Sequence, residues 1–235
     1  LFVFAIFIAF GIYLSVISSG RAKAGKELKR LNQILHAIRN VNQLITREKD
    51  QSKLIQKACE ELTRTKGYRK AWLVLVDQQE EILDYACSEF GNEFFSFINF
   101  LKDKNHCDCI EKIKAEPNKI ITKKIDKNCA SCPIYPSEHH NRVFISSLSY
   151  HSKIFGYITA IVAPQIFIRK EEKALFKEVS NDLAYAINTL NIEKEQVRIT
   201  DKLKESQRSL STLISNLPGI AYQCKNDENW TMLFM

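Results

Sequence analysis

A chain of 235 residues has room for one domain of ordinary size plus flanking segments. Its composition, 45% hydrophobic and 26% charged, is that of a folded chain and excludes a disordered one. The net charge of +7 comes from lysines and arginines spread along the sequence, with no basic face interleaved with aromatics, which excludes a nucleic-acid-binding reading. Seven cysteines are too few and too unevenly placed for a secreted disulfide framework. Three of them, Cys59, Cys87 and Cys224, lie in apolar periodic segments and are expected to pack in cores. The sequence opens on Leu1 and closes at Met235 inside an apolar stretch, so a segment of a longer protein is expected.

Residues 1–20 carry no charge, and a helix of about 20 apolar residues is long enough to cross a hydrocarbon core. The flank that follows holds Arg21, Lys23, Lys26, Lys29 and Arg30 against Glu27 alone. Positive residues stay on the cytoplasmic side, so the expectation is a single-pass helix in a cell inner membrane with everything after Gly20 cytoplasmic. In residues 21–48, a membrane-proximal linker, apolar residues recur at Leu28, Leu31, Leu35, Ile38, Val41 and Ile45. Steps of three and four make a heptad seam, which predicts a parallel homodimer; packing of this helix on its own domain is the alternative.

Asp50 is placed to cap a new helix with Leu54, Ile55, Ala58, Cys59 and Leu62 on one face, ending near Gly67. Residues 71–76 predict a strand buried on both faces, turning at 77–81 into a return strand over 82–88. Residues 94–101 are aromatic-rich and predicted helical. A short strand over 120–125 precedes a cysteine-containing loop. Strands over 143–150 and 155–163 form a second hairpin, and a helix from Lys170 carries Leu175, Phe176, Val179, Leu183, Ile187 and Leu190 inward. The element order predicts an α+β fold with an antiparallel sheet.

The blocks LHAIRNVNQLITREKDQSKLIQKACEELTRTKGYRKAWLVLVD, CASCPIY, FGYITAIVAP and EEKALFKEVSNDLAYAI resemble the GAF domains of bacterial sensor histidine kinases, over residues 49–190 and the helix before them. The resemblance implies five or six antiparallel strands, with the first and last helices side by side. It also implies a pocket between the sheet and the middle loops, near residues 94–100 and 107–140. The NKFDE-type signature of cyclic-nucleotide sites is not evident, and no cysteine stands in a recognisable bilin-attachment context. His106, His139, His140 and His151 are available to haem, but no known pattern places them. The ligand is therefore unknown.

Four cysteines cluster. His106-Cys107-Asp108-Cys109 is followed by Cys129-Ala130-Ser131-Cys132-Pro133. Two close pairs of thiols suit a tetrahedral zinc ion, because a two-residue spacer turns both sulfurs of one pair toward a single ion. The tighter Cys-x-Cys pair is less usual, and His106 is a substitute ligand for one member. The same four residues also suit redox-active thiols, or loop packing with no ligand. In the related GAF domains, positions matching Cys109, Cys129 and Cys132 recur.

Residues 191–215 are charge-rich, with Val197, Leu203, Leu210, Leu213 and Leu217 at heptad-like steps that slip near Ile199. They predict a signalling helix in a coiled coil, with a solvated single helix as the alternative. Pro218 stops it. Residues 220–224 and 230–235 predict two strands, and SLSTLISNLPGIAYQCKNDENWTMLFM resembles the opening of a PAS domain, so 216–235 is a truncated PAS start. His36 lacks the acidic neighbour and following proline of a kinase acceptor box, and neither a phosphate loop nor paired catalytic carboxylates occurs. The chain is thus expected to be the non-catalytic input region of a dimeric two-component sensor histidine kinase, with kinase and response regulator engaged through domains outside it. The alternatives are the same input region feeding a diguanylate cyclase, and a GAF domain that modifies a small molecule.

Overall fold

The computed structural model describes residues 2–65, 67–105, 107–138, 140–164, 168–216, 222–226, 228 and 231–234; for 2–14, 16, 22, 23, 128, 223 and 232–234 the description stops at the backbone. Two compact units divide the chain, Leu1–Asn188 and Thr189–Met235.

The first unit begins with α1, an unbroken helix Phe2–Arg47. Among the described residues no helix is long and apolar enough to cross a membrane. The side chains of 1–14, on which the expected span rests, lie outside the described residues. Farther along α1 the expected seam divides. Ile38 and Val41 are buried with Ile34 and Ala37, facing the chain's own domain, whereas Leu28 and Leu35 are exposed. Helix α2, Gln51–Arg64, starts where the sequence places it: the Asp50 carboxylate accepts a hydrogen bond from the Lys53 amide at 2.8 Å.

Strands β1 (Lys70–Val76) and β2 (Ile82–Ser88) pair as an antiparallel hairpin. Helix α3 spans Glu93–Lys102. The middle that the sequence left irregular contains α4 (Asp108–Ala115) and, past β3 (Ile121–Lys124), a 3-10 turn Lys127–Cys129 and a short α5 (Tyr135–Glu138). Strands β4 (Arg142–Tyr150) and β5 (Lys153–Val162) follow. They are joined by a tighter turn than expected, His151-Ser152, both at positive φ as a two-residue hairpin turn of the favoured hand requires. The sheet order is β2-β1-β5-β4-β3, which puts β1, β5 and β4 in its interior and narrows the expected five or six strands to five. Close approach of β5 to β1 depends on Gly156, at φ +157°: a Cβ there would lie 2.0 Å from the Val74 carbonyl oxygen.

Successive side chains of a strand point to opposite faces, and the core is accordingly double. On one face Tyr68 packs edge-on against Phe144 of β4 and Phe176, the latter from α6 (Lys170–Ser215). On the other face Trp72 and Val74 of β1, Val143 and Ile145 of β4, and Tyr157 and Ile161 of β5 form one apolar cluster with Phe94 and Phe97 of α3, Ile110 and Ile113 of α4, and Cys107 and Cys129.

Helix α1 meets the start of α6 through ion pairs, Arg30 with Glu172 and Glu27 with Arg169. In the second unit, the helix ends at Ser215 and an antiparallel pair of short strands follows, β6 (Gln223–Cys224) and β7 (Met232–Phe234), in register Gln223↔Phe234 and Cys224↔Met232. The rest of the two strands expected there lies outside the described residues.

Candidate functional site

The second face of the sheet encloses a cavity of about 40 Å³. A water needs roughly 10–15 Å³ by this measure, so two or three water-sized bodies fit, and anything larger enters only if the lining moves. Trp72 of β1 and Thr159 of β5 form its floor, Phe97 of α3 one wall, and all four clustered cysteines another. Thr159 is opposite Trp72 in one strand pairing and opposite Ile145 in the other. Its Oγ1 is buried without a hydrogen-bond partner among the described residues, a polar atom in an otherwise apolar floor. A wider groove of about 350 Å³ adjoins it near Glu80, Lys114 and Tyr157 and shares Cys107.

Local structure explains how two tight cysteine pairs meet. Cys107 is the residue before α4 and Cys109 the second residue within it, so the one-residue spacer straddles a helix start. In the second pair the Cys132 amide donates to the Cys129 carbonyl at 2.9 Å, flanked by the like turns Cys129 to Asp126 and Tyr135 to Cys132, each 2.9 Å. The four sulfurs then run in a line of neighbours: Cys129 faces Cys109, Cys109 faces Cys107, and Cys107 faces Cys132. All four are free thiols. Among the described residues no group of three or more His, Cys, Asp or Glu side chains is arranged to hold a metal ion. His106 and His139 lie outside the described residues, His140 is exposed beside β4, and His151 sits in the β4–β5 turn.

The electrostatics alternate along this line. The thiols of Cys109 and Cys132 hold Cys107 well below the usual thiol value, helped by the backbone amides of Ile110 and Cys109 at the positive end of α4. The Cys109 thiol and the Lys123 ammonium bring Cys129 down to about 6. Cys109 and Cys132, which donate to these anionic neighbours, are pushed up. Each sulfur that favours the thiolate thus faces one that keeps its proton.

Lys123 is a candidate site residue that motif reading passed over. Its Nζ lies 3.5 Å from the Cys129 sulfur and pairs with the Asp108 carboxylate. Burial acts to lower its pKa, but the hydrogen bond to Asp108 and the charge of Cys129 prevail and raise it. The signal was present in alternation: Ile121, Lys123 and Ile125 share one face of a strand, so a lysine stands at an inward position.

The cysteine loop is fastened to the sheet by a second buried charge. Glu138 of α5, 1% exposed, pairs with Lys70 of β1 at 2.9 Å and accepts from Asn141 at 2.6 Å. Lys70 also reaches Glu93 of α3 at 3.2 Å. Burial opposes the lysine's charge, yet its hydrogen bonds to Glu138 and Glu93 hold its pKa above the ordinary value.

No protein-family model matches the sequence, and no curated protein matches it. Among solved structures, the chain is similar to the GAF domain of a phosphoenolpyruvate-protein phosphotransferase from Coxiella burnetii, at 12% identity and a TM-score of 0.51, covering 69% of this chain and 97% of that one. It is also similar to a bacteriophytochrome from the photosynthetic bacterium R. palustris, at 12% identity and a TM-score of 0.53, covering 80% of this chain and 43% of that one. The fold is that of a GAF domain, an antiparallel five-stranded sheet with flanking helices.

Proposed function

We propose that this chain is the input region of a dimeric membrane-tethered sensor histidine kinase. In this reading an event at the cysteine-lined cavity of the GAF fold alters helix pairing and so biases a kinase domain outside the chain. The uncharged run 1–20 with its basic flank supports a single-pass anchor with the GAF fold on the cytoplasmic side. The opening of a PAS domain is assigned to 216–235 on the motif quoted above.

One observation carries the reading. In α6, Ile192, Ile199, Leu203, Leu210 and Leu213 are 50–62% exposed and fall in a single heptad frame, with Gln196 and Ser206 completing it. Leu190 is half-buried, so this frame is drawn from Ile192; Val197, 62% exposed, falls outside it. A row of large apolar residues at heptad spacing is the surface that a parallel partner helix covers. Leu28 and Leu35 of α1, also exposed and seven residues apart, offer a second such surface.

A two-state shift in how paired helices abut is the means by which such a module transmits a signal without chemistry of its own. Mass photometry of the 235-residue chain in lipid nanodiscs tests the pairing. Two chains per disc are expected, and one chain per disc at every loading ratio overturns the reading.

A further inference from the structure

We propose that Cys109 and Cys129 form a dithiol that a hydroperoxide oxidises to a disulfide, making the cavity a peroxide-sensing site. The inference rests on the reading above that the cysteine-lined cavity receives the signal, and it names the chemistry of that signal.

Geometry singles out this pair. Cys109 belongs to the first turn of α4 and Cys129 closes the 3-10 turn beyond β3, so their sulfurs meet from two separate segments, both free. Lys123 supplies a cation 3.5 Å from the Cys129 sulfur and is itself held by Asp108, the residue before Cys109. An ammonium so placed favours the nucleophilic thiolate and can return a proton to the departing oxygen. The cavity that both cysteines line is about 40 Å³, the size of a few waters and so of hydrogen peroxide, and Thr159 Oγ1 offers a hydrogen bond there that no group among the described residues takes up. Cys107 and Cys132 line the same cavity, but the Lys123 ammonium is hydrogen-bonded to Cys129. Cys59 is fully buried, its sulfur 3.8 Å from the Ala86 carbonyl oxygen on the opposite face of the sheet.

The chemistry balances in two steps. The Cys129 thiolate attacks one peroxide oxygen, the O–O bond breaks, and the leaving hydroxide takes a proton to become water, so Cys129 is a sulfenic acid. The Cys109 sulfur then attacks the Cys129 sulfur, its proton passes to the sulfenic oxygen, and a second water leaves. Two thiols have lost two electrons and two protons, and the peroxide has been reduced to two waters. The new bond ties α4 to the loop that Glu138 fastens to β1.

The test uses the 235-residue chain in nanodiscs, reduced, desalted and treated with stoichiometric hydrogen peroxide. Intact mass is expected to fall by two hydrogens, proteolysis to give one linked peptide holding Cys109 and Cys129, and dithiothreitol to reverse both. Cys129→Ser is expected to abolish the link, and Cys224→Ser to leave it intact. Lys123→Met, which keeps both thiols, is expected to slow formation about tenfold by reducing the thiolate fraction. Added oxygen without a link, a link between other cysteines, or stoichiometric zinc that shields all four thiols would each overturn the inference. Mass photometry of the same discs keeps the two ideas apart: a chain that links but stays single defeats the dimeric reading alone, and one that pairs without linking defeats the peroxide site alone.

Discussion

The guanidinium of Arg30 holds the carboxylate of Glu172 through two hydrogen bonds, Nη1 to Oε2 at 2.7 Å and Nη2 to Oε1 at 2.6 Å. Glu172 is 2% exposed, and the bond joins α1 to the first turn of α6 across 142 positions of sequence. Fork-to-fork pairing satisfies both carboxylate oxygens, and little water can replace the arginine. Glu172→Gln is expected to cost about 2–4 kcal/mol, because it leaves a desolvated arginine without its countercharge. Glu27→Gln, which breaks the more exposed pair with Arg169, is expected to cost under about 1 kcal/mol. Urea unfolding of the two variants measures the contrast.

Gly156→Ala is expected to be among the most damaging small substitutions in the molecule. The new methyl would stand 2.0 Å from the Val74 oxygen and 2.9 Å from the Leu75 Cα, both backbone of the neighbouring strand, at a φ that alanine disfavours. Relief requires separating β1 from β5 at the centre of the sheet, a loss of at least about 3 kcal/mol. Thermal unfolding followed by circular dichroism reads it.

The pH dependence of thiol alkylation should set Cys129 apart from the raised thiols of Cys59, Cys109 and Cys132. With its pKa brought down to about 6, its thiolate persists at neutral pH, and its reaction with iodoacetamide should fall roughly tenfold per pH unit only below about 6. Lys123→Met removes the cation that stabilises the thiolate, so the midpoint moves up. Cys59, whose thiol burial pushes far up, should stay unreactive throughout this range. Peptide-resolved mass spectrometry after timed alkylation separates the sites.

Much of this was written in the sequence, for identifiable reasons. Period-two and period-3.6 apolar patterns located β1, β2, β4, β5, α2 and α3, because in each one or two buried faces dominate the pattern. Asp50 announced the start of α2 by its capping carboxylate. Helices α4 and α5 were missed because each is short: Ile110 and Ile113 are the buried apolar pair of α4, too few to establish a period. The seam in α1 was legible as apolar spacing, but which of its residues turn inward depends on α2 and could not be read from α1 alone. The cysteines were named as a group. Their order as facing pairs, and the approach of Lys123, depend on a helix start and a turn brought together by the sheet.

If the helices pair as proposed, Leu203→Lys or Leu210→Lys should separate them while sparing the GAF fold. Both side chains are more than half exposed, so neither supports the chain's own core. A lysine at the seam meets its own copy in a parallel dimer, and two facing ammonium groups in an apolar interface are expected to weaken association at least about a hundredfold. Sedimentation equilibrium measures the loss, with an unchanged unfolding midpoint of the GAF fold as the control.

The central claim is that information leaves this fold through two parallel helices in register. Pulsed electron resonance between genetically encoded spin labels at position 203 of the two copies, in nanodiscs and with all seven native cysteines in place, tests it most directly. Parallel pairing puts the two labels at matching heights on adjacent helices, giving one narrow, short interchain distance that changes when the cavity cysteines are oxidised. A broad distribution, or no interchain coupling at all, would contradict the account.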